Sequence, residues 1–154
     1  MRSKLVNLMT ALALLVAAAP VRAEGDGIVR VRSAYSMPET IARLKQDIAA
    51  KGIMFFSEVD QSQLAAAAGI KLGPSTLLTF GNPPLGTLFI TAKAQAGLDW
   101  PVRLLVTQDD DGVVWALYTD FKWIAARHGI RDRDEQFATA SKVIASITAT
   151  VSGQ

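Results

Sequence analysis

The residues able to do chemistry are few, and their spacing limits what they can do. The stretch FGNPPLGT, Phe80–Thr87, has the glycine content of a phosphate-cradling loop and joins two apolar runs. Such a cradle aims successive backbone N–H groups at an anion from a helix N-terminus. Pro83 and Pro84 have no N–H, and a capping Asn82 claims a further donor. Leu85, Gly86 and Thr87 then remain for a substrate carboxylate or other small anion. The stretch lacks the Gly-Lys-Ser/Thr ending of a nucleotide-phosphate loop and the three-glycine dinucleotide spacing. Its residue types suit a strand-to-helix corner better: Gly81 for the turn, Asn82 as N-cap, proline in the first helical turn.

His128 is the one histidine, and there is no cysteine. That excludes multi-histidine and thiolate metal sites, cysteine nucleophiles, iron–sulfur clusters and thiol redox chemistry. No Gly-x-Ser-x-Gly elbow is present. Arg127 and His128 precede Gly129, where positive groups complement a helix C-terminus. Asp109–Asp111 lacks the alternating acids and the twelfth-position Glu of a calcium loop, so it reads as a turn. Glu58, Asp60 and Asp99 are carboxylates that only geometry can pair for glycosidase-type work. Arg30 and Arg32 share a strand face and could form a small anion patch, with Arg103 on another strand. The candidate binding residues are Asp60, Asn82, Gly86, Thr87, Asp99 and His128. No catalytic residue, metal ligand or cofactor is assigned.

The elements that must position these residues follow from periodicity. Ile28–Tyr35 alternates with period two, with Val29, Val31 and Tyr35 on one face. Ser36 and Glu39 have capping-box spacing, and Ile41, Leu44 and Ile48 give the helix beyond a buried stripe, ended by Gly52. Ile53–Asp60 predicts a second strand, whose Asp60 caps a short helix stopped by Gly69. Ser75–Phe80 is apolar enough to be a central strand. Leu85, Leu88, Phe89 and Ala92 repeat at helical spacing, with Gly97 as the expected C-terminal cap. VRLLVT and VVWALYT flank the Asp109–Gly112 turn and predict a hairpin. A short helix runs to His128, and a last one from about Asp134 carries Phe137, Ala140, Ile144, Ile147 and Val151. Trp100, Trp115, Trp123, Phe55 and Phe56 fall at core positions, with Trp123 the candidate for an exposed place beside a pocket. The pattern predicts an α+β fold: a single compact domain with a mixed sheet of about five strands covered by helices, including a C-terminal helix.

Residues 1–23, MRSKLVNLMTALALLVAAAPVRA, have the form of a secretory signal: Arg2 and Lys4, an apolar run from Leu5 to Ala19, and small residues at Val21 and Ala23. The run is short for a membrane span. Cleavage after Ala23 leaves residues 24–154 as one domain in the periplasm or outside the cell. The full chain carries 16 Lys+Arg against 14 Asp+Glu. Arg2, Lys4 and Arg22 leave with the signal and no acid does, so 13 basic residues face 14 acidic ones. A nucleic-acid partner loses its support, and no membrane association is expected after cleavage. With no disulfide available, the exported domain must stand on packing alone.

From Val59 to Ile130 the chain shows VD before an alanine-rich helix, the FGNP-x-x-GT turn, LD-x-P ahead of a strand, VW-x-x-Y in a hairpin, and RHGI. In order and spacing these resemble the bacterial domain-of-unknown-function family 302. The resemblance implies a compact α+β domain, often dimeric, without an established general activity. The family usually shows His directly after the Asp of VD, where this chain has Gln61. Gln61 cannot titrate and ligates metals poorly. The reading that follows is a non-enzymatic exported domain, a homodimer, binding a small molecule, an anionic ligand or an envelope protein. The alternative is a carboxylate/histidine enzyme acting on a small periplasmic substrate.

Overall fold

The computed structural model describes residues 25–153; the expected signal peptide, 1–23, lies outside them. The chain folds as β1 (Ile28–Arg32), α1 (Met37–Ala50), β2 (Met54–Asp60), α2 (Gln61–Ala67), β3 (Ser75–Gly81) and α3 (Pro83–Ala92). A 3₁₀ segment (Ala94–Asp99), β4 (Val102–Gln108), β5 (Val114–Thr119), α4 (Phe121–His128) and α5 (Asp134–Ala149) complete it. The α+β class and the five strands match the pattern in the sequence.

The sheet order is β1-β5-β4-β3-β2, and every pairing is antiparallel. The sheet is therefore not mixed, which corrects the sequence-based expectation. The reason lies in α1. It connects the strands at opposite edges, β1 and β2, which run in the same direction but are never neighbours.

One face of the sheet is buried under helices. Leu78, Phe80, Leu104, Val106, Ala116, Val29 and Val31 lie there, each no more than 4% exposed. Leu44 and Ile48 of α1 and Phe137, Ala140, Ile144 and Ile147 of α5 close over them, as the spacing of those residues predicts. Phe89 of α3 stacks on Phe137, ring centroids 4.1 Å apart.

The other face is different. Val59, Leu77, Leu105 and Leu117 pair across β2, β3, β4 and β5 in a single row that ends beside Arg30 of β1. These side chains are only half buried. The dileucine steps 77–78 and 104–105 have the look of strands covered on both sides, yet only one side is covered.

Other expectations are corrected. Ser36 occupies the N-cap of α1 without a side-chain cap bond, and Glu39, the other half of the expected capping box, turns along the helix to Arg43 instead, 2.9 Å away. Gly97 does not cap α3. Lys93 adopts an extended conformation that stops the helix at Ala92, and Gly97 sits inside the 3₁₀ segment. Leu88 is exposed rather than part of the packed stripe. β2 forms an edge, so Phe55 and Phe56 are exposed rather than in the core. Trp123, the candidate for an exposed place, is indeed exposed, with Arg127 lying over its ring at 5.5 Å. Gly129 does end α4 as expected, in the left-handed region at φ 64°.

Candidate functional site

The corner after β3 is built as its residue types dictate, and its donors are used internally. Asn82 caps α3, with Pro83 and Pro84 in the first turn. The Leu85 N–H donates to the Asn82 carbonyl at 3.1 Å and, more weakly, to Oδ1 at 3.4 Å. The Gly86 N–H donates to the same carbonyl at 2.8 Å. The Thr87 hydroxyl donates to the Pro83 carbonyl at 2.7 Å, along the helix. The anion cradle that the sequence left open at Leu85, Gly86 and Thr87 is not supported by this geometry.

What the corner holds is the indole of Trp100. A Cβ placed on Gly86 would lie 1.8 Å from Trp100 Nε1, and one on Gly81 would lie 3.0 Å from it. Both positions must lack side chains for the indole to lie against them, a role of close approach and not of backbone freedom. Trp100 and the corner wall a cleft of about 40 Å³, with Phe80, Phe89, Phe121 and Ile144 among its apolar lining. Asn82 and Gly86 belong to the wall; Thr87 does not. Phe56, at the bulge of β2, meets Trp100 edge to face at 5.8 Å.

The residue before Trp100 organises a second cluster. Asp99 ends the 3₁₀ segment with its side chain 4% exposed. Its carboxylate accepts from Arg103 Nη2 of β4 at 3.1 Å. It also accepts from Arg127 Nη1, at 3.2 and 3.1 Å to its two oxygens. His128 Nε2 lies 2.6 Å from Oδ2, its side chain 7% exposed. The two guanidinium groups are about half exposed. Arg103 also donates to the Leu98 carbonyl at 2.8 Å. A void of about 10 Å³, one water in size, lies between Asp99, Arg103, Thr119 and Ile124.

Of the six candidates, Asp99 and His128 meet, and Asn82 and Gly86 line the neighbouring cleft. Asp60 stands apart. It pairs with Thr76 at the far end of β3, roughly 20 Å along the strand from Asn82 at 3.3 Å per residue. There Asp60 caps α2 through the Gln63 N–H at 2.9 Å, beside an open groove of about 360 Å³ lined by Met37, Glu58 and Ser75. Gln61 accepts from the Ser75 hydroxyl at 2.8 Å. Arg30 pairs with Asp26 at 2.9 Å, and Arg103 belongs to the Asp99 cluster. Sequence reasoning missed Arg127 as a partner of Asp99 and Trp100 as a cleft wall. The available signal was that LD-x-P and RHGI both carry polar residues at fixed places.

Comparison with known proteins adds the family. A family model described as "Domain of unknown function DUF302" matches residues 29–147. A Brucella suis protein named "Fluoride-specific ion channel FluC 1" is 39% identical over 105 residues, which is 68% of this chain and 41% of that protein. "Fluoride-specific ion channel FluC 2" of Brucella melitensis is 39% identical over the same length, 39% of that protein. The chain thus spans about two-fifths of the curated relatives it matches. The crystal structure of an uncharacterized conserved DUF302 protein from Bacillus stearothermophilus superposes with a TM-score of 0.74 at 18% identity, covering 81% of this chain and 98% of that one. That likeness is one of fold. The family match extends through all five strands and nearly all of α5, and this chain belongs to the family described as Domain of unknown function DUF302.

Proposed function

We propose that this chain is an exported, non-enzymatic domain that works by association, first with a second copy of itself, through the uncovered face of its sheet. The observation that carries the reading is the row Val59, Leu77, Leu105 and Leu117. An antiparallel sheet facing water ordinarily alternates to polar residues on that side. Here the outward positions stay apolar at the centre of the sheet, which suits a face meant to be covered. A two-fold pairing would set the row against its own copy.

The relatives support association with other proteins as well. The matched stretch in them shares a chain with the remaining three-fifths, roughly, of proteins named as fluoride channels. No helix among the described residues is long and apolar enough to cross a membrane. This stretch therefore fits a domain working beside a membrane partner.

Sedimentation velocity on residues 24–154 tests the reading. The expected result is a dimer at micromolar concentration and a monomer for Leu105→Arg, with the fold retained by circular dichroism. A wild-type monomer at high micromolar concentration would overturn it. The 2.6 Å contact of Asp99 with His128 favours one second reading, an enzyme in which Asp99 orients the imidazole toward a small substrate. Turnover in a screen of esters and phosphomonoesters, lost in His128→Gln, would bring it forward; no turnover in the wild type would remove it.

A further inference from the structure

We propose that Arg103 and Arg127 form a binding site for a phosphate group, on the solvent side of the Asp99 cluster. The charge there is unbalanced. Two guanidinium groups share one carboxylate, and no other acid pairs with either of them among the described residues. Arg103 Nη2 and Arg127 Nη1 both reach Asp99 Oδ1, at 3.1 and 3.2 Å, so two like charges are held side by side on one oxygen. Asp99 offsets one of them. A second anion would offset the other and relieve their repulsion.

The donors for that anion are already anchored. Arg103 bonds through Nη2 alone, to Asp99 and to the Leu98 carbonyl. Arg127 bonds through Nη1 alone, to the two Asp99 oxygens, and its guanidinium lies over the Trp123 ring. Arg127 therefore keeps Nε and Nη2, an edge able to grip two oxygens at once, and Arg103 keeps Nε and Nη1. The two side chains are 52% and 45% exposed, so an incoming group meets them without displacing Asp99. Their anchorage has already removed part of the side-chain freedom that binding would otherwise cost. A carboxylate has two oxygens, which one fork fills. The terminal phosphate of a monoester has a third, left for Arg103, and this selects phosphate over carboxylate. Soluble phosphomonoesters and lipid headgroups share that chemistry.

The test follows the arginine Nε–H signals of residues 24–154, labelled with nitrogen-15, during titration with inorganic phosphate at constant ionic strength and, separately, with acetate. Phosphate is expected to shift the Arg103 and Arg127 signals saturably, with acetate about tenfold weaker. Arg127→Lys, which keeps the charge but removes the fork, is expected to weaken phosphate binding about tenfold. Lys71→Gln, ahead of the opposite end of β3, should leave it unchanged. Absence of a saturable shift would overturn the proposal, and so would equal affinity for acetate or wild-type affinity in Arg127→Lys. Phosphatidylcholine vesicles containing phosphatidic acid separate the two sources. Co-sedimentation of the wild type, lost in Arg127→Lys, assigns the phosphate to a lipid headgroup; no co-sedimentation beside a retained phosphate shift assigns it to a soluble compound.

Discussion

The Asp99 carboxylate and the His128 imidazole lie 2.6 Å apart although 29 residues separate them in the chain. With Arg103 and Arg127 on the same carboxylate, Asp99 joins the 3₁₀ segment to β4 and to the end of α4. Removing it leaves a buried imidazole and two half-exposed guanidinium groups without their shared anion. Breaking a fully buried ionic cluster costs about 3–5 kcal/mol, and the exposure of both arginines reduces that here. Asp99→Ala is therefore expected to lose about 2–3 kcal/mol in urea denaturation. His128→Ala, which leaves both guanidinium bonds in place, should lose less.

Gly86→Ala reverses an ordinary rule. Within a helix, alanine is about 1 kcal/mol more favourable than glycine. At Gly86 the added carbon meets Trp100 Nε1 at 1.8 Å, and overpacking of this kind costs about 1–3 kcal/mol. The expected outcome is a less stable protein with altered tryptophan near-ultraviolet circular dichroism. A stabilised variant with an unchanged spectrum would show that the indole does not rest on this glycine.

Two helix caps should differ in strength. Asp120 accepts from the Lys122 N–H at 2.6 Å and the Trp123 N–H at 3.3 Å, whereas Asn82 accepts a single long bond of 3.4 Å. Asp120→Ala is expected to cost about 1–2 kcal/mol and Asn82→Ala about 0.5 kcal/mol. Chemical denaturation of the pair decides the order.

The hairpin turn carries a pH dependence of known sign. The Trp115 indole N–H donates to Asp109 Oδ2 at 2.8 Å and the Val113 N–H to Oδ1 at 2.8 Å. These bonds, Trp115 first, hold the Asp109 carboxyl below its ordinary 3.8. A carboxyl lowered in the folded state stabilises above 3.8 and loses that contribution as pH falls toward the folded value. Asp109→Asn is expected to lose less stability than the wild type between pH 4 and pH 2, followed by urea midpoints.

Local chemistry was legible and long-range partnership was not. Asn82, Pro83 and Pro84 define a corner by sterics and capping alone, and Gly129 ends α4 for a reason contained in its own backbone. Asp60 was readable as a cap from its place before an alanine-rich helix. The meeting of Asp99 with Arg127 and His128 was hidden, because nothing local at either end announces the other. Gly86 was taken for a source of backbone donors, while its role is to leave room for a side chain fourteen residues on. The outward leucines 77 and 105 show why an apolar run cannot reveal how many of its faces are covered.

The path of α1 has a consequence for the order in which the sheet can assemble. Both outer strands, β1 and β2, lie in the first 60 residues, and the three inner strands lie after residue 74. A chain made from its N-terminus therefore produces the margins of the sheet before the middle they must join. The inner strands β3, β4 and β5 follow one another in the chain as a meander and are each paired on both sides, whereas each margin strand is paired on one side alone. Amide exchange should find its slowest protons in this meander. The margins, and β2 above all, are expected to open first.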